Sequence, residues 1–342
     1  MLLSWPYLLV VRLRNGLYSA GLFRAHKVAA TVISVGNLTV GGTGKTPLVA
    51  WLAKRLQSKG VRVAILTRGY RATNQKSEIE NQKYSDEPAV LAARCPDVNV
   101  VVDPDRVAGA KRAIGEHNAQ VLLLDDGFQH RRLARDIDIV TIDATAPFGY
   151  GKLLPAGLLR EPIAGLQRAD AVVITRCDQV SEESLAQIEG QVRRVNPDVI
   201  IAKAIHAPVN ATTCGGSEIG LEELRGKRVY AFCGLGNPDA FFDTVRHIGC
   251  VLVGCQSFDD HHAYTGNCLS EIRRRAAEQG VDYIVTTQKD WTKIARLMPT
   301  ENDPPMAHLA IEMEFMTGSE QLTDLMDRVL NGKMPHLHKP GK

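Results

Sequence analysis

The residues best suited to chemistry form a glycine-rich turn. The run 30–33, which is rich in β-branched residues, precedes the turn, and apolar residues at helical spacing follow it over 48–56. A turn between a strand and a helix N-terminus favours a phosphate, because free amides and the positive end of the helix dipole face it. The lysine would reach the β- and γ-phosphates, and the threonine hydroxyl after it would ligate Mg²⁺. We therefore predict a nucleotide-binding loop composed of Gly41, Gly42, Thr43, Gly44, Lys45 and Thr46.

The spacing of this turn departs from the usual G-x-x-x-x-G-K-[ST] phosphate loop. The first glycine of that pattern would fall on Thr39, and the extra glycines stand instead at Gly41 and Gly42. The alternative is an ordinary glycine-rich connection between a strand and a helix. The G-K-T triplet in a strand–turn–helix context favours nucleotide binding.

Two acidic residues are placed to assist the loop. The apolar run 121–124 is followed by Asp125 and Asp126, so a strand would present two carboxylates at its carboxyl end, where a metal-binding acid must lie. Phosphoryl transfer also needs a group that orients or deprotonates the acceptor. The candidates for that group are Asp86, Asp126, His130 and the cluster Asp259-Asp260-His261-His262. The same cluster could bind a metal, although neighbours on one loop rarely point at one ion.

Several basic side chains could contact a phosphorylated substrate. Lys289 follows the apolar strand 283–285, which places it at a strand's carboxyl end, where α/β proteins bind ligands. A solvated turn fits that composition equally well. Arg68, Arg131, Arg132 and Arg160 could bind a phosphate, or they could be surface charges.

Composition narrows the class of protein. The 342 residues suffice for two modest domains, and 44% are hydrophobic, as in an ordinary globular protein. The net charge is only +3, and no run of basic residues is interleaved with aromatic ones, so the sequence gives no sign of a nucleic-acid-binding surface. Seven cysteines without a C-x-x-C pair indicate a reducing compartment rather than disulfides or zinc.

The N-terminal segment is apolar and then basic. Residues 1–11 are almost wholly apolar, and Arg12, Arg14, Arg24 and Lys27 follow. The apolar run is too short to span a bilayer. The pattern predicts a helix that lies in the membrane interface against anionic lipid, over residues 1–28. The alternative is a helix that packs on the core.

Strands alternate with helices along the chain, so we predict an α/β fold with a parallel sheet. The alternation restarts beyond residue 205. We predict a P-loop NTPase-type kinase domain over 29–205 and a smaller α/β domain over 206–333 that ends in a helix. A cleft is expected between these two domains, and residues 334–342 are predicted to form a tail.

Taken together, the motifs resemble one family, the tetraacyldisaccharide 4'-kinases of Gram-negative bacteria. The loop with its Thr39 spacing agrees with the form found in that family. The other matching stretches are Arg68-Gly69-Tyr70, Asp86-Glu87-Pro88, Asp125 to His130, Leu154 to Glu161, Asp260-His261-His262 and Thr287 to Asp290. The resemblance implies ATP and Mg²⁺ as cofactors. It also implies a lipid disaccharide substrate, phosphorylated on its 4'-hydroxyl in lipopolysaccharide biosynthesis, and a peripheral position on the cytoplasmic face of the inner membrane. No protein partner is implied.

The resemblance also assigns roles to residues. Lys45 and Thr46 would hold the ATP phosphates and Mg²⁺. Asp125 and Asp126 would complete this metal and phosphate site. Asp86 would be the catalytic base, oriented by His261 across the cleft. Apart from these assigned roles, we expect substrate contacts from Arg68, Tyr70, Arg160 and Lys289. The family's threonine-glutamate-lysine-aspartate motif has Gln288 here, so an acidic role at that position is lost.

Two rival hypotheses stay open at the level of sequence. A nucleotide-switch protein, such as a metallochaperone GTPase or a partitioning-type ATPase, would carry a guanine-recognition N-K-x-D segment or a metal-passing cysteine pair. Thr175-Arg176-Cys177-Asp178 resembles that segment only loosely. A soluble small-molecule kinase would not need the apolar N-terminal segment.

Overall fold

A computed structural model describes residues 4–69, 86–260, 262–297 and 304–332. Ten α-helices lie within these ranges: α1 Ser4–Ser19, α2 Lys45–Gln57, α3 Asp86–Arg94, α4 Arg106–His117, α5 Glu182–Val195, α6 Leu221–Leu224, α7 Pro238–His247, α8 Gly266–Glu278, α9 Gln288–Ile294 and α10 Ser319–Leu330. The same ranges contain twelve strands: β1 Thr31–Asn37, β2 Val63–Thr67, β3 Asn99–Val102, β4 Val121–Asp125, β5 Ile137–Asp143, β6 Ala171–Thr175, β7 Ile200–Thr213, β8 Glu218–Gly220, β9 Arg228–Cys233, β10 Val251–Ser257, β11 Tyr283–Thr287 and β12 Met306–Thr317.

The chain divides into two compact units. Among the described residues, the first unit holds 4–69, 91–205 and 313–332, and the second holds 86–90, 206–260, 262–297 and 304–312. Helix α10 belongs to the first unit because Leu322, Leu325 and Met326 are buried in its core. The predicted domain boundaries and the predicted cleft between the domains stay predictions.

The first unit contains parallel strands in the order β7-β6-β5-β1-β4-β2-β3. The two faces of the sheet bury different side chains. Ile33 of β1 packs with Leu48 of α2, whereas Leu122 of β4 packs with Val107 of α4. Because helices cover both faces, these strands are continuous apolar runs rather than alternating ones.

The second unit repeats this arrangement on a smaller scale. Strands β10, β9, β11 and β12 are parallel neighbours in that order, and β8 pairs antiparallel with β7. Val229 and Ala231 face the aromatic residues of α7, whereas Tyr230 and Phe232 face α8. The predicted α/β class with a parallel sheet is confirmed, with β8 as an antiparallel addition.

Candidate active site

The phosphate loop connects β1 to α2 over residues 38–44. Gly41 and Gly44 have positive φ angles of 111° and 83°, which L-residues with side chains rarely adopt. A Cβ atom at Gly41 or Gly42 would meet nothing within 4 Å, so this side of the loop is open to a ligand. Gly44 provides no side-chain cap to α2, and the first amides of that helix are left for an anion.

The carbonyl groups of the loop are anchored from the end of β6. The Arg176 guanidinium donates to the carbonyl oxygen of Gly42 at 3.0 Å, and the Thr175 hydroxyl donates to that of Thr43 at 3.1 Å. Arg176 also forms a buried ion pair with Asp143, at the end of β5. In a trans peptide the N–H points away from the C=O, so anchoring the carbonyls orients the amides of the next residues away from β6.

The side chain of Thr43 belongs to the support of the loop. It is 4% exposed, accepts a hydrogen bond from Asn37 Nδ2 at 3.0 Å and shares one with Thr141 at 2.7 Å. Thr141 in turn donates to the carbonyl oxygen of Gly36. Thr43 can therefore offer a nucleotide its backbone amide but not its hydroxyl.

Lys45, Asp126 and Arg160 form a charged cluster beside the loop. Asp126 Oδ1 lies 3.5 Å from Lys45 Nζ, and Asp126 Oδ2 lies 2.8 Å from Arg160 Nη1. Burial alone would raise the pKa of Asp126, but the charges of Lys45 and Arg160 outweigh it and lower the pKa below 3.8. A backbone hydrogen bond from Arg160 N to the Leu38 carbonyl brings Arg160 to the loop. The cluster presents two cations next to the amides of the loop.

Asp125 and Thr46 are the candidate ligands for Mg²⁺. Asp125 is 2% exposed at the end of β4 and stands opposite Val35 of β1, the strand that leads into the loop. Thr46 is half-buried in the first turn of α2. A carboxylate and a hydroxyl are hard oxygen donors, which fit Mg²⁺.

The remaining predicted residues of the first unit have separate positions. Arg68 is exposed directly after β2. His130 is half-buried, and burial together with Arg106 and Arg135 lowers its pKa to about 4, so its ring is neutral at pH 7. Tyr70 lies outside the described residues.

The predicted base and its partner are not described in atomic detail. Asp86 is the first residue of α3, but its side chain lies outside the described part of the structure. His261 also lies outside the described residues. Their catalytic roles stay predictions.

Lys289, in the second unit, pairs with the loop after β10. Its Nζ atom lies 2.8 Å from Asp260 Oδ1. The neighbouring Asp290 is fully buried and accepts hydrogen bonds from the Gly234 amide and the Thr287 hydroxyl. Lys289 therefore already has an acidic partner, Asp260. Its predicted contact with the substrate stays a prediction.

No group of three or more His, Cys, Asp or Glu side chains within the described ranges is arranged to hold a metal ion. The metal site considered for residues 259–262 includes His261, which is outside those ranges.

Sequence reasoning missed the residues that support the loop. The sequence pattern marks Thr175 and Arg176 only as a loose match to a guanine-recognition segment, and it gives Asp143 no role. A signal was available, because residues 175 and 176 follow a buried strand, and the carboxyl ends of parallel strands lie at one edge of a sheet.

Comparison with known proteins identifies relatives over nearly the whole chain. The family model for tetraacyldisaccharide-1-P 4'-kinase matches residues 1–331. A tetraacyldisaccharide 4'-kinase of Geobacter metallireducens is 39% identical over 338 residues, which cover 96% of each chain. One of Anaeromyxobacter dehalogenans is 37% identical over 332 residues, which cover 94% of this chain and 88% of the relative.

A solved structure agrees with these relatives. The crystal structure of LpxK from Aquifex aeolicus in complex with ATP superimposes with a TM-score of 0.72 at 31% identity. The match covers 96% of this chain and 97% of that one. The resemblance inferred from the motifs is thereby confirmed: the chain belongs to the tetraacyldisaccharide 4'-kinase family.

Proposed function

We propose that this protein transfers the γ-phosphate of ATP to the 4'-hydroxyl of tetraacyldisaccharide 1-phosphate, the lipid A precursor, giving the 1,4'-bisphosphate and ADP. The observation that carries the proposal is the open glycine loop with Lys45, Asp126 and Arg160 beside it, in a chain of this family. Positioning and charge neutralisation supply most of the catalysis of phosphoryl transfer.

The chain's own groups divide the work as follows. The amides of residues 41–46 and the Lys45 ammonium bind the phosphates, and Arg160 adds a second cation. Asp86 takes the proton of the 4'-hydroxyl, whose oxygen attacks the γ-phosphorus in line as the bond to the bridging oxygen breaks. His261 orients Asp86. Thr46 and Asp125 would hold Mg²⁺, which when bound neutralises charge on the phosphates.

The substrate is a lipid, and helix α1 supports a position at the membrane surface. Its exposed side chains include Trp5 at 72%, Leu9 at 68% and Leu13 at 62%. Residues four apart share one face of a helix, so these three form one apolar stripe. Basic residues at 12, 24 and 27 would contact anionic lipid. No helix in the described ranges has the length and apolarity of a membrane span. We propose peripheral attachment to the cytoplasmic face of the inner membrane.

Transfer of ³²P from γ-labelled ATP to tetraacyldisaccharide 1-phosphate in detergent micelles tests the reaction. We expect labelled lipid from the wild type and a loss of at least about 100-fold in Asp86→Ala and in Lys45→Ala. Absence of label from folded wild type would contradict the kinase reaction. Full activity of Asp86→Ala would keep the reaction and move the base to another residue.

Flotation with vesicles that contain phosphatidylglycerol tests the membrane proposal. The double variant Leu9→Ser/Val10→Ser should bind roughly 10-fold more weakly or worse, because it removes apolar area from the exposed face of α1. Val251→Ser, at an exposed valine of β10, is the matched control. Equal binding of all three proteins would contradict attachment through α1.

A further inference from the structure

Helix α1 has a second face, which is turned to the protein. Val11 is 6% exposed, and Ser4, Tyr7, Asn15 and Tyr18 are half-buried. The spacings of three and four residues place these five side chains on one side of the helix, separate from the exposed apolar stripe. The two faces can therefore be changed independently.

Two side chains of this inner face bond to adjacent residues of the first unit. The Tyr7 hydroxyl donates to the carbonyl oxygen of Arg160 at 2.7 Å. Asn15 Nδ2 donates to Glu161 Oε2 at 3.2 Å. The return contact comes from Arg131, whose Nη1 donates to the Asn15 carbonyl at 3.0 Å. Two side chains of α1 thus hold two consecutive residues next to the phosphate loop.

The segment that α1 holds is part of the phosphate site. The side chain of Arg160 binds Asp126, which pairs with Lys45. Glu161 is fully buried and accepts a hydrogen bond from Gln129 Nε2 at 2.8 Å. The same Gln129 nitrogen donates to the carbonyl oxygen of Asn37, the last residue before the loop, also at 2.8 Å. Continuous chains of hydrogen bonds and ion pairs therefore run from α1 to both sides of the loop.

The buried Glu161 carboxylate makes this support sensitive to α1. Its Oε2 atom is shared between Asn15 and Arg168, whose Nη2 lies 2.9 Å away. A buried carboxylate that loses a donor turns toward its remaining donors or admits water. Either response would change the contacts that fix the segment carrying Arg160 and Glu161.

We propose that α1 is a positioning element of the kinase site, with Tyr7 and Asn15 as positioning residues that fix Arg160 and Glu161 beside the phosphate loop. The inference rests on the proposed function, because it assigns Arg160 to the phosphates of ATP. It goes beyond membrane attachment, since the inner face acts on phosphoryl transfer even where no membrane is present.

The test uses the full chain with micellar substrate and compares wild type with Tyr7→Phe, Asn15→Ala and the double variant. Tyr18→Phe is the matched control, because Tyr18 lies on the same face of α1. The variant keeps the aromatic ring, whose centroid lies 5.1 Å from Cζ of Arg131. We expect kcat/KM for ATP to fall roughly 10-fold in the double variant, the size of effect that small misplacements produce. The KM for the lipid and the vesicle binding measured by flotation should both stay within about twofold of the wild-type values. A twofold change is well below the tenfold change that corresponds to about 1.4 kcal/mol.

Further measurements separate positioning from simple loss of folding. Calorimetric titration with ATP should still give one site per chain in each variant, with weaker binding in the double variant, whereas partial unfolding would lower the number of sites. If the double variant does not fold, Tyr7→Phe, which removes a single oxygen, decides alone. Kinetic constants for Tyr7→Phe and the double variant equal to those of Tyr18→Phe would overturn the inference. Absence of transfer by wild type would instead overturn the proposed function.

Discussion

At the residue scale, the phosphate loop depends on side chains that never need to touch the nucleotide. Arg176 has a positive φ of 56°, is 8% exposed and holds both the Gly42 carbonyl and Asp143. A buried arginine in a left-handed conformation is costly, so the surrounding contacts must stabilise it. These contacts of Arg176 keep the phosphate loop anchored.

Replacing Arg176 with methionine should therefore weaken ATP binding. The variant leaves the Gly42 carbonyl without its charged donor, and we expect the dissociation constant for ATP to rise about 10-fold. Unfolding free energy should also fall by about 1–3 kcal/mol, because Asp143 stays buried without its cation. Calorimetry and urea denaturation measure the two effects. Arg55→Met, at an exposed position of α2, should change neither, and unaltered ATP binding in Arg176→Met would show that the anchor is dispensable.

Asp126 should stabilise the fold in a pH-dependent way. Burial raises the pKa of Asp126, but the charges of Lys45 and Arg160 lower it by more than burial raises it. The pKa in the folded protein therefore lies below the ordinary 3.8. Its contribution is then present above the unfolded pKa and is lost as pH falls through the folded value. Asp126→Asn should lose about 1–3 kcal/mol of unfolding free energy between about pH 5 and 8, and the difference from wild type should shrink below about pH 4. Urea denaturation at several pH values gives the difference, and a gap that widens in acid would contradict the assignment.

At the element scale, the strands buried on both faces were predictable from the sequence. The strands predicted at 121–124 and 283–285 lie within β4 and β11, since continuous apolar runs between turns leave little choice. Strands β7 and β12 were not predicted. At 14 and 12 residues they are much longer than an ordinary strand, many of their side chains are only half-buried, and β7 contains Pro208. Their extent is set by distant partners rather than by local pattern.

The candidate site was predictable in the same uneven way. Lys45 and Asp126 were singled out from the sequence, but as separate ligands of phosphate and metal, and the structure joins them in one cluster with Arg160. The contacts of Tyr7 and Asn15 with residues 160 and 161 span about 150 positions of the chain. No local pattern encodes a hydrogen bond between elements so far apart.

Helix α8 offers a prediction at this scale through Cys268 in its first turn. Hydrogen bonds from the Thr265 hydroxyl at 3.2 Å and from His262, with Sγ to Nε2 at 3.8 Å, lower the pKa of the Cys268 thiol to about 7. Alkylation by iodoacetamide requires the thiolate, so its rate at Cys268 should rise with a midpoint near pH 7. Peptide mapping by mass spectrometry between about pH 5 and 9 follows it. Thr265→Val should move the midpoint upward and Thr265→Ser should not; equal midpoints would exclude Thr265 as the cause.

At the scale of the whole molecule, the phosphate loop and its supporting residues all belong to the first of the two compact units. Parallel strands β5, β1, β4 and β6 end around the loop, so the same sheet that forms the core also fixes the ligand-binding groups. Binding of a nucleotide should accordingly be linked to the folding of this unit. Lys289 and Asp260 belong to the second unit.

This linkage predicts how ATP changes the thermal stability of the full chain. A ligand that binds only the folded state at 100 times its dissociation constant stabilises that state by about 2.7 kcal/mol. For a unit of this size we expect the melting temperature to rise by roughly 5–10 °C with Mg²⁺ and ATP. Removing Mg²⁺ with EDTA should reduce the rise, since the phosphates then lose the ion that Thr46 and Asp125 would hold. Differential scanning calorimetry on wild type and Lys45→Ala measures the effect. If the two units melt separately, only the transition of the first unit should move, and a rise of equal size in Lys45→Ala would place the nucleotide elsewhere.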